Sequence, residues 1–194
     1  AHKNFSKYFA QELSKLCNSK KRFSPSKNFY HELSAQDCSV QLSGELKNLA
    51  IVLMKISNDL RWMNSGPLAG MSEIELKALQ PGSSIMPGKV NPVIPEAVAM
   101  ASADVIGNDV SITVAAQSGS FQLNVMLPVI AYNLLKSINL IAGSMKALSK
   151  NAIKTFKVNE KNLESSLSKN PILVTALNPI IGYEKAAEIS KKDY

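Results

Sequence analysis

Apolar positions recur along most of the chain with the spacing of a helix. In two stretches they follow alternating steps of three and four, which is the heptad pattern of a helix facing a partner helix. The first stripe comprises Leu42, Leu46, Leu49, Leu53, Ile56, Leu60 and Met63. The second comprises Leu127, Ile130, Leu134, Ile138, Ile141, Met145 and Leu148. With its flanks, the first stripe predicts a helix of about 30 residues, roughly 45 Å long, which is typical of a helical bundle.

A third helix is predicted between the two stripes. It runs from Pro95 to about residue 116, with Glu96 in the first turn, where proline is tolerated and an acid is favoured. Residues 110–114 alternate as a strand would, but they continue this helical run, so we assign them to the helix. Residues 65–94 hold four prolines and four glycines. A long segment of this kind inside a compact domain is more often functional than not.

Composition and charge exclude several classes of protein. Hydrophobic residues make up 45% and charged residues 19%, which fits a soluble globular protein, and no run of 18 apolar residues suggests a membrane span. The net charge is +7, but the only dense basic run is Lys20–Arg22 and aromatic residues do not interleave with the lysines, so we expect no nucleic-acid partner. Cys17 and Cys38 are too few for a disulfide scaffold, which favours a reducing compartment.

The richest chemistry lies within the long loop, at residues 82–92, GSSIMPGKVNP. Lys89 would supply a point charge and Asn91 two donors, a pair suited to a carboxylate, while two glycines let the backbone approach a ligand closely. The spacing does not fit a phosphate-binding Walker loop, because Lys89 is followed by Val90 and not by serine or threonine. The residues alone therefore indicate either an anion site or an ordinary surface loop.

Residues 82–91 resemble the signature loop of the fumarase/aspartase superfamily, Gly-Ser-Ser-x-Met-x-x-Lys-x-Asn. Segments similar to the same superfamily follow in order over nearly the whole chain: SGP at 65–67, GND at 107–109, LNV at 123–125 and VTALNPIIGY at 174–183. Within the superfamily, PGKVNP at 87–92 is similar to class II fumarases, whereas aspartases usually carry alanine in place of Gly88.

The resemblance implies an all-α, long-helix bundle that other subunits complete in a homotetramer, with each active site built from three chains. Residues 1–157 would belong to the central bundle domain, including the signature loop 81–95, and residues 158–194 would begin the small C-terminal helical domain. The implied reaction is the reversible hydration of fumarate to (S)-malate, a step of the tricarboxylic acid cycle, with no metal or organic cofactor. We expect a small dicarboxylate as partner, no nucleic acid and no membrane. Cytoplasm is the expected compartment, with the mitochondrial matrix as the alternative.

The resemblance also implies roles for individual residues. Ser83, on a loop that the resemblance implies is mobile, matches the catalytic base, which takes the C3 proton of malate. It needs activation by its surroundings because serine is a weak base. Glu96 matches the carboxylate that orients the superfamily's catalytic histidine, although it is equally an acid favoured in a first helical turn. The positions that match holders of the substrate carboxylates are Ser84, Lys89, Val90 and Asn91.

The departures from the superfamily pattern leave alternatives open. The acid-side histidine would precede residue 1, and neither His2 nor His31 matches a catalytic position. Leu68 stands where an arginine is usual, and Phe29 where a basic residue is usual. The chain resembles the middle-to-late portion of a fumarase and alone would lack a complete active site. The alternatives are aspartate ammonia-lyase and a non-catalytic helical assembly element in which the loop survives without the acid.

Overall fold

The computed structural model describes residues 2–17, 23–83, 85–86 and 88–192, and over these ranges the chain is mainly helical, as predicted. The helices are α1 (Phe5–Leu16), α2 (Phe29–Ser34), α3 (Asp37–Met63), α4 (Val93–Gln117), α5 (Leu127–Leu148), α6 (Glu160–Ser168), α7 (Asn178–Ile181) and α8 (Tyr183–Lys192). A π-helical turn (Ser149–Ile153) extends α5, and a 3-10 helix (Pro171–Leu177) precedes α7. The basic run at residues 20–22 lies outside the described residues.

Three long helices confirm the periodicity read from the sequence. Helices α3, α4 and α5 contain 27, 25 and 22 residues, and α4 includes residues 110–114. At 1.5 Å per residue, α3 is roughly 40 Å long. Pro95 lies in the first turn of α4, where a backbone N–H has no partner within the helix and its absence costs least.

Two short strands form a small addition to the predicted all-α fold. Strand β1 (Ile74–Glu75) pairs antiparallel with β2 (Lys157–Val158), with Ile74 opposite Val158 and Glu75 opposite Lys157. The pairing joins the long loop between α3 and α4 to the segment that precedes α6.

The chain divides into two compact units, of which the first comprises Ala1–Glu45 and Gly107–Lys136. Its core consists of Ile112, Ala115 and Ile130, with Val40, Ala116 and Leu134 packed against them. Asn124 is only 1% exposed, and its side-chain amide donates to the carbonyls of Ala115 and Ala116 at 3.0 and 3.1 Å. Its Oδ1 accepts the Met126 N–H at 2.8 Å, and its backbone N–H donates to the Leu33 carbonyl. One side chain therefore joins the end of α4 to the start of α5.

The second unit comprises Leu46–Ile106 and Ser137–Tyr194, and it contains the long loop. Its buried apolar core consists of Ala50, Leu53, Leu60, Ile74, Leu76, Val98, Val105, Ile141, Leu148 and Ala152. Residues on both sides of the predicted domain boundary at 157/158 fall within this unit, and that boundary stays a prediction.

The buried faces of the long helices differ from the predicted stripes by including small polar residues. On α3 the buried positions are Ser43, Ala50, Leu53, Ser57 and Leu60, whereas the predicted Leu42 is 44% exposed. On α5 the buried positions include Ser137 and Ser144, whereas the predicted Ile138 and Met145 are 38% and 45% exposed. The buried serines Ser43, Ser137 and Ser144 each stand next to one of these exposed residues, and their small side chains let neighbouring helices approach closely.

Helix α4 is long and apolar enough to cross a membrane by length and composition alone, with a mean hydropathy of 1.2 over an 18-residue window. The sequence prediction concerned an unbroken run of 18 apolar residues, which α4 does not contain, and the expectation of no membrane partner stays a prediction. The core helix of a soluble protein passes the same test, so the finding is weak evidence for a membrane span. Buried residues recur along α4 at positions 95, 98, 102, 105, 109 and 112, which is the spacing of a packed bundle helix.

Candidate active site

The signature loop is closed at a narrow neck formed by Gly82, Lys89 and Asn91. The Asn91 side-chain amide Nδ2 donates to the Gly82 carbonyl at 3.0 Å. A Cβ atom at Gly82 would overlap the Lys89 backbone carbonyl, so only glycine fits there. The close approach that Gly82 permits is thus to the other arm of its own loop. Gly88, with φ of +81°, adopts the left-handed conformation that favours glycine.

Within the loop, backbone amides converge on the side chain of Ser83. The Ser83 Oγ accepts the N–H groups of Ile85 and Met86 at 3.1 and 3.2 Å, and Lys89 N–H donates to the Met86 carbonyl at 3.2 Å. The side chain is half-buried. Two amide dipoles aimed at one hydroxyl oxygen favour negative charge on it. Ser84 lies outside the described residues.

A cavity of about 1320 Å³ lies beside residues 88–92 of the signature loop. Four of the predicted site residues line it together: Lys89, Val90, Asn91 and Glu96. The rest of its described lining comes from the end of α3 and the following turn, from β1 and the residues just after it, from the signature loop, and from β2 and the residue after it. It comprises Asn58, Arg61, Trp62, Asn64, Ser65, Gly66, Pro67, Ser72, Ile74, Glu75, Leu76, Ala78, Gly88, Pro92, Lys157, Val158 and Asn159. Ser83 is not among the described residues of this lining.

The charges on the cavity lining are mixed, with cations in excess. Three described lining residues are cationic, namely Arg61, Lys89 and Lys157, against two acids, Glu75 and Glu96, which leaves a net charge of +1. Lys157 stands opposite Glu75 in the strand pair. A cavity with this balance suits a small anionic ligand better than a cationic one.

Several lining residues were missed by sequence reasoning because they lie outside the recognised motif. Arg61 Nη1 donates to Asn58 Oδ1 at 3.2 Å, one helical turn away on α3. Asn64 Oδ1 accepts the Leu76 N–H at 2.7 Å and so ties the end of α3 to the residue after β1. The cluster of polar residues at positions 58, 61 and 64, which recur every third residue beside the SGP segment, is the signal that could have pointed to them.

The two histidines belong to the first unit, while the described cavity lining lies in the second. His2 Nδ1 accepts the Asn4 N–H at 3.2 Å, and His31 is exposed on α2. Cys17 and Cys38 are free and exposed.

Comparison with known proteins identifies the class of protein to which this chain belongs. Residues 1–107, more than half of the chain, match the family described as Lyase (Lyase_1), and residues 173–194 match the family described as Fumarase C C-terminus. The chain is therefore a member of the Lyase family.

Individual relatives narrow the likeness to class II fumarases. The chain is 61% identical over all 194 residues to fumarate hydratase class II 2 of Pseudomonas aeruginosa, of which it covers 42%. It is 60% identical over 172 residues, or 89% of its length, to fumarate hydratase class II of Xylella fastidiosa, of which it covers 36%. The crystal structure of class II fumarase from Schistosoma mansoni superposes with a TM-score of 0.91 at 34% identity, covering 98% of this chain and 43% of that one. The resemblance read from the signature loop is confirmed, and the chain spans less than half the length of these relatives.

Proposed function

We propose that the complete protein containing this chain is a fumarate hydratase, which adds water reversibly to fumarate to give (S)-malate. The observation that carries the proposal is the arrangement at Ser83, whose Oγ accepts two loop amides in a loop that also carries Lys89 and Asn91. The similarity to class II fumarate hydratases over the whole chain supports the same reaction.

In this proposal the signature loop is mobile and brings Ser83 to the cavity, where it acts as the base in the direction from malate to fumarate. As an alkoxide, it takes one proton from C3, and the C–H electron pair passes into the adjacent carboxylate. That electron pair then forms the C2=C3 double bond of fumarate as the hydroxyl group leaves C2 as water, with a proton from an acid that the resemblance assigns to a segment before residue 1. The amides of Ile85 and Met86 stabilise the alkoxide, which is how a serine can serve as a base.

Lys89 and Asn91 bind the substrate carboxylate that gains charge in this step. The ammonium group of Lys89 and the second amide proton of Asn91 are donors on the cavity lining, since the first Asn91 proton is engaged with Gly82. Negative charge on the carboxylate grows towards the transition state, so fixed donors bind that state more tightly than malate itself. Ser84 and Val90 complete the carboxylate site in this proposal.

Glu96 orients the proton-donating histidine that another segment of the protein supplies. Its place in the first turn of α4 and on the lining of the same cavity as Lys89 supports this role. The cavity, about 1320 Å³, is larger than the roughly 300–1000 Å³ of typical small-molecule sites. The extra volume leaves room for segments of other subunits.

A homotetramer is the proposed assembly. Large apolar side chains stand exposed along the long helices, among them Met100 and Val110 on α4 and Tyr132 and Leu135 on α5, each 59% to 68% exposed. Large apolar side chains that stand exposed on long bundle helices are typical of surfaces that other subunits cover. For the compartment we propose the cytoplasm, with the mitochondrial matrix as the alternative.

The test is an assay of the complete gene product for fumarate, detected by its ultraviolet absorbance, with (S)-malate and L-aspartate offered separately. Fumarate from malate alone is the expected result. Fumarate from aspartate alone would make the protein an ammonia-lyase and contradict the proposal. Turnover of neither substrate would contradict the proposal and favour another lyase of the superfamily or the non-catalytic assembly element.

A further inference from the structure

One wall of the cavity is a turn that closes on itself. This cavity wall, residues 65–72, begins just after Asn64, the residue that follows α3, and contributes Ser65, Gly66, Pro67 and Ser72 to the lining. Ser65 Oγ accepts the Met71 N–H at 3.0 Å, and the Ser65 carbonyl accepts the Ser72 N–H at 2.6 Å. Ser65 therefore fixes both ends of the turn to each other, and Ser72 is the residue through which the wall leads into β1.

Ser72 adopts a left-handed backbone conformation, with φ of +48°. This region is disfavoured for a residue with a Cβ atom, and such a residue stays there only where its surroundings hold it. The space next to it is tight, because a Cβ added to Gly66 would lie 3.0 Å from the Ser72 Cβ. The conformation of the wall thus depends on contacts that hold Ser72.

Two asparagines from the C-terminal part of the chain supply those contacts. The side-chain amides of Asn159 and Asn162 both donate to the Ser72 carbonyl, at 3.0 and 3.2 Å. Both side chains are half-buried. The Asn159 backbone N–H also donates to the carbonyl of the next residue, Glu73, at 2.8 Å. Together these bonds use the two lone pairs of one carbonyl oxygen and fix the peptide on either side of Glu73.

The side chain of Asn159 bonds to Ser72 and does not cap its own helix. It occupies the N-cap position of α6, where an asparagine side chain normally accepts an N–H of its own helix. Here it makes no such capping bond. Its side chain reaches instead to Ser72, which indicates that the contact to the wall outweighs the contact to the helix at this position.

We propose that Asn159 and Asn162 are positioning residues for the cavity: they hold Ser72 in its left-handed conformation and so keep the cavity wall in the shape that binds the substrate. The part that concerns substrate rests on the proposed function. If the wall has left this shape in some of the molecules, the apparent affinity for substrate equals the intrinsic affinity multiplied by the fraction of molecules that keep the shape. The Ser83 hydroxyl and its amide donors lie outside the wall, so turnover of bound substrate stays unchanged.

The test uses two substitutions at Asn162 in the complete protein. Asn162→Ala removes the donor, and Asn162→Asp replaces it with an acceptor of the same shape. Because an acid is favoured in the first turn of a helix, Asn162→Asp keeps α6 stable, which separates an effect on the wall from an effect on the helix. The matched control is Ser165→Ala, on the same exposed helix but without a bond to Ser72.

Two measurements are made on each variant. The first is hydrogen exchange of the Ser72 and Glu73 amides, which we expect to speed up about five-fold in Asn162→Ala, as for the loss of one typical hydrogen bond. The second is steady-state kinetics on (S)-malate, for which we expect KM to rise by as much as about five-fold, the limit reached when the wall is displaced in most molecules, while kcat stays within about two-fold.

A second substitution supplies the rescue. Ser72→Gly removes the preference against a positive φ, so the wall no longer needs to be held. The double variant Asn162→Ala/Ser72→Gly should therefore match the KM and exchange of Ser72→Gly alone, to within about two-fold. A variant that merely weakened the packing of α6 would not be rescued in this way.

The outcomes separate this proposal from the proposed function. If hydrogen exchange of the Ser72 and Glu73 amides is unchanged in both Asn162 variants, the proposal that the asparagines hold Ser72 in its conformation is wrong. Faster exchange with unchanged KM overturns the positioning role, since the asparagines would then serve stability only. If the unsubstituted protein turns over no malate, the proposed function fails, whereas faster exchange that Ser72→Gly reverses still supports the hold on the wall.

Discussion

Replacing Gly82 with alanine tests whether the closed neck of the signature loop sets the position of Ser83. A Cβ at residue 82 overlaps the Lys89 carbonyl, so the two arms must move apart by on the order of 2 Å to reach ordinary van der Waals contact. The bond from Asn91 Nδ2 to the Gly82 carbonyl is lost in that movement. Because a misplacement of about 1 Å can cost about 100-fold in rate, we expect kcat on (S)-malate to fall by at least about 100-fold.

The assay is the initial rate of fumarate formation by the complete protein, with circular dichroism to show that the helices remain. Gly44→Ala is the matched control, because Gly44 lies in α3 and a Cβ there meets nothing within 4 Å. Alanine in a helix is favoured over glycine, so this control should keep its kcat and gain a little stability. If Gly82→Ala kept a kcat within about two-fold of the unsubstituted protein, the neck would have no part in placing Ser83.

Three further predictions concern single side chains. Ser83→Ala should lower kcat by about 10²–10⁴-fold, the usual contribution of a general base, and near-normal turnover in the malate assay would remove Ser83 from that role. Lys89→Ala should raise KM and lower kcat together, since the charge acts on both malate and the transition state; an unchanged KM would be inconsistent with carboxylate binding. Ser57→Ala should raise the free energy of unfolding by about 1 kcal/mol, because the fully buried Ser57 Oγ has no hydrogen-bond partner among the described residues. Thermal unfolding at fixed protein concentration measures this, and a lower Tm would show that the hydroxyl is bonded after all.

The helices could be predicted from the sequence because their signal is long and repeated. The stripe through Leu46, Leu53 and Leu60 lies on the packed face of α3, as its spacing indicates. The buried serines could not be found in this way, since hydropathy alone treats Ser57 as an exposed residue. Whether a small polar side chain is buried depends on how closely a neighbouring helix approaches, and that neighbour is distant in the sequence.

In the candidate site, too, contacts between residues close in the sequence could be predicted, whereas contacts between distant residues could not. The motif places Lys89, Asn91 and Glu96 within eight residues, so their meeting in one cavity follows from local sequence. The amide bonds to Ser83 Oγ are also local, since a serine side chain often accepts the N–H groups two and three residues further on. The contacts of Asn159 with Ser72 could not be predicted, because a side-chain amide in the sequence does not reveal which distant carbonyl it will meet.

The contacts that hold Ser72 in place also have a consequence for the order of folding. The bonds from Asn159 and Asn162 to the Ser72 carbonyl join residues 87 and 90 positions apart, so they close very long loops of chain. Contacts of such separation form after local helical ones, and pulse-labelled hydrogen exchange during refolding should show the amides of α3 protected before that of Ser72. During synthesis the last of these residues leaves the ribosome long after the signature loop does. The nascent protein therefore carries its proposed catalytic serine for some time before the cavity beside it can take its final shape.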